Sequence, residues 1–204
     1  MSDPAPLLVM DLGGVTCRWQ PERRLAELSQ LSGQPASAID QAVFESGFDD
    51  AGERGRFTLE EFSATLLSLL GVAPTVASHD AVRACWAAAF EPDPAVLALI
   101  EAASGPVTLF TNNGPLLELA LDRELAEVGR LFDQLAFSWR LGTTKPEPEA
   151  FARVGARLGV DPGRLLLVDD SVANVDAARQ AGWRTHHHTT ALDLQARLSD
   201  AALL

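Results

Sequence analysis

Short apolar runs, each closed by polar residues, punctuate the chain. Leu7-Leu8-Val9-Met10 ends at Asp11 and then Gly13-Gly14, the pattern of a buried strand opening into a tight loop. Similar runs return only much later, at 107–110, 135–137 and 165–168, with helical patterns of suitable length between them, and residues 183–186 offer a fifth. Strands alternating with helices predict a parallel sheet covered on both faces.

Between Trp19 and Ala103 the pattern holds no strand, only helical periodicities broken by glycine and proline. The clearest starts at Thr58, whose hydroxyl caps the helix while Glu61 three residues on reaches back. Leu59, Phe62, Leu66 and Leu69 supply its apolar stripe. Further helices are expected over 22–31, 36–44 and 81–89, and Asp93-Pro94 reads as the N-cap and first turn of a helix returning to the sheet. The expected architecture is α/β, with a sheet-bearing core formed by 1–16 and 93–204 and a helical insertion, 17–92, after the first strand.

At 204 residues and 47% hydrophobic content, the chain can bury a full core without disulfides or metal. Cys17 and Cys85 lie in different segments, which excludes a disulfide framework or zinc site and fits a reducing cytoplasm. No apolar run approaches the roughly 20 residues of a membrane span, and no basic segment precedes a signal-type stretch, so a cytoplasmic location without membrane contact is expected. The formal net charge of −12 opposes nucleic-acid binding, which rests on lysine and arginine contacts to phosphates. Any phosphorylated ligand therefore needs local help from a metal or a few well-placed basic side chains.

In open parallel sheets the carboxyl ends of the strands converge on one crevice. Asp11, Thr111-Asn112-Asn113, Lys145 and Asp169-Asp170 occupy such places, Lys145 lying on the loop after the third strand. Phosphoryl transfer explains each residue type. A carboxylate can attack phosphorus only if the negative charges on nucleophile and substrate are offset. A hard divalent cation does this, and Asp170 with Asp169 beside it can complete a magnesium shell begun by Asp11. Lys145 neutralises part of the remaining charge, Thr111 offers a hydroxyl, and the backbone amides of Asn112 and Asn113 can donate to phosphate oxygens.

Val-Met-Asp-Leu-Gly-Gly-Val-Thr at 9–16 resembles the first motif of the haloacid dehalogenase superfamily, and Leu-Phe-Thr-Asn-Asn at 109–113 resembles its second. Lys145-Pro146-Glu147-Pro148 is similar to the lysine motif, and Leu-Val-Asp-Asp-Ser with Asn174 beyond it to the fourth. The resemblance implies a Rossmann-like core with a helical cap. It further implies magnesium-dependent hydrolysis of a small phosphorylated metabolite, a sugar phosphate among the candidates, through an aspartyl-phosphate intermediate. By it Asp11 is nucleophile and metal ligand, the Gly13 carbonyl and Asp170 are further ligands, and Asp169 binds directly or through water. Thr111, Asn112 and Lys145 hold the phosphoryl group, and Asn174 fixes the metal loop.

One position departs from the family pattern. Most phosphatases of the family carry a second aspartate two residues after the nucleophile, which protonates the leaving group and then activates water; here it is Gly13. General acid–base catalysis is typically worth about 10²- to 10⁴-fold, so its loss weighs most on poor leaving groups unless a cap side chain or a substrate hydroxyl substitutes.

Plainer readings stand beside these. Asp169-Asp170 alone would be a helix cap, Thr111-Asn112-Asn113-Gly114 a turn, and Lys145-Pro146 a surface loop. His186-His187-His188 on an extended segment alternate in direction and read as a strand end rather than a metal site. Arg54, in Glu53-Arg54-Gly55, is either a substrate contact on a cap loop or a solvated charge, and Trp19 and Trp86 are expected to serve packing. Two other functions share the fold: a metal-free 2-haloacid dehalogenase, against which Asp169-Asp170 argues, and a degenerate binding protein, which only Gly13 supports.

Overall fold

The computed structural model of the chain describes residues 5–204. It opens with β1 (Leu7–Met10) and, after a tight loop, β2 (Cys17–Trp19). Helices follow: α1 (Pro21–Ser32), α2 (Ala36–Ile39) running into a π-helical stretch (Asp40–Glu45), α3 (Phe48–Glu53), α4 (Leu59–Leu69) and α5 (Val76–Ala87). β3 (Phe90–Pro92) and α6 (Pro94–Ala102) lead to β4 (Val107–Thr111), α7 (Pro115–Ala120), α8 (Ala126–Gly129), β5 (Gln134–Phe137) and α9 (Ser138–Leu141). After α10 (Pro148–Leu158) come β6 (Leu165–Asp169), α11 (Val172–Gln180), β7 (Arg184–His187) and α12 (Ala191–Asp200).

Five strands form one sheet in the order β5-β4-β1-β6-β7, every neighbouring pair parallel. β1, β4, β5 and β6 lie where apolar runs predict them, because a strand buried on both faces cannot alternate apolar with polar, and the edge strand β7 falls at the fifth expected place without such a run. Alternation appears instead in which core each residue enters. Leu8 and Met10 of β1 and Leu166 and Val168 of β6 pack on one face, while Val9, Leu165 and Leu167 pack on the other. That second face is filled by Phe151, whose ring meets Phe110 and Trp183 edge-on, each at 5.6 Å.

One expectation fails. Phe90–Pro92 lies in the stretch read as free of strands, yet it pairs antiparallel with Cys17–Trp19, and Trp19 packs on Phe90 at 4.9 Å between ring centroids. Strands of three residues, one of them ending in proline, are too short to carry a period-two signal. The pair ties the chain together where it leaves and re-enters the sheet. Among the described residues no helix is long and apolar enough to cross a membrane.

The cap at Thr58 forms as its sequence predicts. Thr58 Oγ1 accepts from the Glu61 amide at 3.2 Å, and Glu61 Oε2 accepts from the Thr58 amide at 2.8 Å. Phe62 and Leu66 are fully buried, with Leu59 and Leu69 half-buried beside them. Phe62 stacks on Phe48 at 4.6 Å and meets Trp86 edge-on at 5.5 Å. Gly52 lets α3 approach it, since a Cβ there would lie 2.3 Å from Phe62 Cε2.

Phe62→Ala should therefore cost about 3 to 5 kcal/mol of unfolding free energy, against about 1 kcal/mol for Thr58→Ala, because the first opens a cavity and the second removes one cap. Urea denaturation of both variants measures the difference, and equal losses would contradict this packing hierarchy.

Candidate active site

Asp11 follows β1 directly, and its amide still pairs with the Val168 carbonyl of β6 at 3.0 Å, so the sheet itself fixes its backbone. The Asp11 carbonyl accepts from Thr16 Oγ1 at 2.7 Å, and Asp11 Oδ1 accepts from the Leu12 amide at 2.8 Å. Lys145, only 4% exposed, brings its ammonium group into this site. Nζ lies 3.0 Å from Asp11 Oδ1 and 2.6 Å from Asp169 Oδ2, and donates to the Phe110 carbonyl at 2.9 Å. One cation thus links the ends of β1, β4 and β6.

The loop bearing Lys145 is clamped by Asn112, whose Nδ2 donates to the Lys145 carbonyl at 2.8 Å while its Oδ1 accepts from the Lys145 amide at 2.9 Å. Asp169 is fully buried, and its Oδ1 accepts from the Ser171 amide and from Asn174 Nδ2, both at 2.9 Å. Asn174 fixes this loop, as the motif resemblance implies. The histidine segment supports the loop from β7: the His188 amide donates to the Asp169 carbonyl at 2.9 Å, and His187 Nε2 lies 2.9 Å from the Asp170 carbonyl.

Burial pushes the Asp11 carboxyl up to about 6; Lys145 opposes this and Asp169 adds to it. Burial works against the charge of Lys145, but Asp11 and Asp169 outweigh it and hold its pKa above the ordinary value. Partial burial and then the neighbouring Asp169 raise Asp170. Asp11, Asp169 and Asp170 each offer an oxygen, all within 4.8 Å of one another. Three carboxylates around one ammonium form an all-oxygen donor set in need of further positive charge, which suits a hard divalent cation such as magnesium. Gly14 makes room for Asp170: its φ is +76°, and a Cβ there would lie 2.1 Å from Asp170 Oδ2.

Above these groups opens a cavity of about 250 Å³. Asp11, Gly13, Thr111, Asn112, Asn113, Lys145, Asp170 and Asn174 line it, so residues distant in sequence meet here. Thr111 Oγ1 accepts from Asn113 Nδ2 at 2.7 Å, which leaves the hydroxyl proton available to a ligand.

Three expectations change. The Asn113 amide donates to Ser138 Oγ at 3.0 Å, so it is already used; the Asn112 side chain holds the lysine loop, which leaves the expectation for the Asn112 backbone amide untouched. Arg54 does not line the cavity. It pairs with Asp50, one helical turn back, at 3.0 Å and with Glu147 at 2.5 Å, because it sits at the C-cap of α3 and leaves the helix on the Asp50 side. Glu53, its neighbour, faces the cavity instead, together with Trp19 and Phe90. Trp19, expected only to pack, is 45% exposed there. The signal for Glu53 is its spacing of four from Asp49, which sets two acids on one line of α3 and Asp50 with Arg54 on the next.

The profile of the haloacid dehalogenase-like hydrolases matches residues 8–182. The D-ribitol-5-phosphate phosphatase of Bacteroides thetaiotaomicron is 26% identical over 200 residues, spanning 94% of this chain and 96% of that one. A HAD-like family hydrolase of Porphyromonas gingivalis superposes with a TM-score of 0.76 at 24% identity, over 96% of this chain and 98% of that one. A HAD family enzyme of Bacteroides thetaiotaomicron, solved with magnesium and inorganic phosphate, superposes with a TM-score of 0.70 at 21% identity, over 91% and 95% of the two chains.

Lys145→Met leaves Asp11 and Asp169 buried without their cation, and should cost roughly 3 to 5 kcal/mol near neutral pH. A carboxyl whose pKa is higher in the folded than in the unfolded chain binds its proton first in the folded state, so acid stabilises the fold. Lys145 holds Asp11 down to about 6, so without it Asp11 takes up its proton at higher pH, and the deficit of the variant should shrink as pH falls toward that value. Urea denaturation at several pH values reads both effects, and a deficit that does not shrink in acid would contradict them.

Proposed function

The chain belongs to the haloacid dehalogenase-like hydrolase family, and we propose that it is a magnesium-dependent phosphatase of small phosphorylated metabolites, with Asp11 as nucleophile. The observation that carries this reading is the placement of Lys145 between Asp11 and Asp169 at the floor of a cavity also lined by Thr111 and Asp170. A carboxylate held against an ammonium group keeps its charge for attack at neutral pH despite burial. The metal-free dehalogenase reading gives the side chain of Asp170, which lines the cavity beside Asp11, no task.

In the proposed reaction the Asp11 carboxylate attacks phosphorus, the bond from phosphorus to the alcohol oxygen breaks, and an aspartyl phosphate forms. Water then attacks the same phosphorus, releasing inorganic phosphate and restoring Asp11. The Lys145 ammonium and the Thr111 hydroxyl stand where they can bind phosphoryl oxygens and offset the charge that builds on them. Asp11, Asp170 and the Gly13 carbonyl, with Asp169 beside them, would hold magnesium, which would supply the positive charge that a dianionic phosphate needs in an acidic protein. Residues 17–92 act as the cap, and Trp19, Glu53 and Phe90 bring its face to the substrate. A phosphorylated sugar or sugar alcohol is the substrate class, in keeping with the named activity of the Bacteroides relative.

Phosphate release from a panel of sugar and polyol phosphates, with and without magnesium, tests the reading. Asp11→Asn should stay folded and lose turnover. In wild type, magnesium at 100 times its dissociation constant should raise stability by about 2.7 kcal/mol, and Asp170→Ala should lose most of that gain at the same concentration. Full activity after exhaustive chelation, or equal turnover by Asp11→Asn, would overturn the assignment.

A further inference from the structure

A phosphatase that cleaves alkyl esters needs a proton for the departing alkoxide, and Gly13 provides no side chain to carry one. The space beside Gly13 is walled by aromatic carbon, since its Cβ position lies 3.5 Å from Phe90 Cε1 and 3.7 Å from Trp19 Cε3. A proton carrier must therefore stand elsewhere on the cavity wall. The titratable side chains there are Asp11, Lys145, Asp170 and Glu53. Asp11 is the nucleophile, Lys145 is held by three oxygens, and Asp170 belongs to the metal group. Glu53 has no other task.

The position of Glu53 is set by backbone contact. The Gly52 carbonyl carbon and the Glu53 amide nitrogen lie 3.6 and 3.8 Å from the Cβ position of Gly114, the residue that closes the Thr111-Asn112-Asn113 loop. The end of α3 thus rests on the loop proposed to bind phosphate.

We propose that Glu53 is the general acid and base of this enzyme, presented from the helical insertion in place of the carboxylate missing at Gly13. The proposal rests on the phosphatase reading above. As Asp11 attacks phosphorus and the bond to the leaving oxygen breaks, the Glu53 carboxylic acid gives its proton to that oxygen, so the products are an alcohol, aspartyl phosphate and Glu53 carboxylate. Glu53 then takes a proton from the water that attacks phosphorus, which frees phosphate and Asp11 and returns Glu53 to its acid form.

The surroundings of Glu53 keep that proton in place. Burial, and after it the charge of Asp49, push its carboxyl up to about 8; Arg24 opposes this, while Asp50 and Asp11 add to it. Arg24 does not neutralise Glu53: its guanidinium lies 4.2 Å from the Trp86 ring and 4.9 Å from the Trp19 ring, and among the described residues its Nη2 has no hydrogen-bond partner. Arg54 is engaged by Asp50 and Glu147, and Lys145 by Asp11 and Asp169. An acid must enter the reaction protonated, so a value near 8 leaves Glu53 competent at neutral pH and disables it as pH rises further.

The test compares wild type, Glu53→Gln and Glu53→Asp on p-nitrophenyl phosphate, which leaves without a proton, and on the best alkyl substrate from the sugar and polyol phosphate panel. Glu53→Gln should lower kcat/KM on the alkyl ester by about 10²-fold or more and change that on the aryl ester far less, with kcat falling on both wherever the shared hydrolysis of aspartyl phosphate limits turnover, and Glu53→Asp should recover part of the loss. In wild type, kcat/KM should fall above about pH 8 for the alkyl ester and not for the aryl one, which tests the proposal without any substitution. Equal losses of kcat/KM on both esters, an unchanged alkyl kcat/KM, or a wild type that cleaves only the aryl ester would overturn the role of Glu53 and leave the phosphatase reading standing. A wild type that hydrolyses no phosphate would overturn both.

Discussion

The site depends on one buried cation shared by two buried carboxylates. Lys145 reaches Asp11 at 3.0 Å and Asp169 at 2.6 Å, where water is excluded and neither carboxylate could hold its charge cheaply alone. Everything nearby serves that arrangement. Asn112 clamps the lysine loop through both polar atoms of its side chain, Asn174 and Ser171 hold the far oxygen of Asp169, and Phe110 contributes a carbonyl from β4, on the other side of β1. In a protein of formal net charge −12, Lys145 offsets only part of the local negative charge, and a bound divalent cation would supply the rest that a phosphorylated ligand needs.

Most of the core was legible because it obeys simple periodicities. Strands buried on both faces are short apolar runs, and the sheet order places Asp11, Thr111 and Asp169 at the ends of three adjacent strands. Their residue types follow from phosphoryl chemistry, so the motifs and the fold point to one place. The insertion was less legible. Cys17–Trp19 and Phe90–Pro92 pair over three residues each, too few for a pattern, and their pairing brings Trp19 and Phe90 to the cavity wall. At the end of α3 the side-chain direction changes from Glu53 to Arg54 within one residue, because Arg54 is already leaving the helix toward Asp50 and Glu147. Asn113 shows a different limit: the partner of its amide, Ser138, lies 25 residues away and is chosen by tertiary contact alone.

The contacts that hold the insertion against the core bear directly on chemistry. Arg54 bridges to Glu147, two residues beyond Lys145, and the Gly52–Glu53 backbone rests on Gly114, so α3 braces both the lysine loop and the loop after β4. An acid carried on that helix makes proton transfer conditional on the insertion being seated. A core carboxylate at position 13 would impose no such condition.

Trapping the covalent intermediate tests the role of Asp11 most directly. Wild-type protein mixed with a ³²P-labelled phosphomonoester and magnesium, then quenched in acid within milliseconds, should carry label that is stable in acid, released by hydroxylamine, and confined to the peptide containing Asp11. Phosphate released with no label on the protein at any quench time, or label on a peptide without Asp11, would contradict nucleophilic attack by this residue.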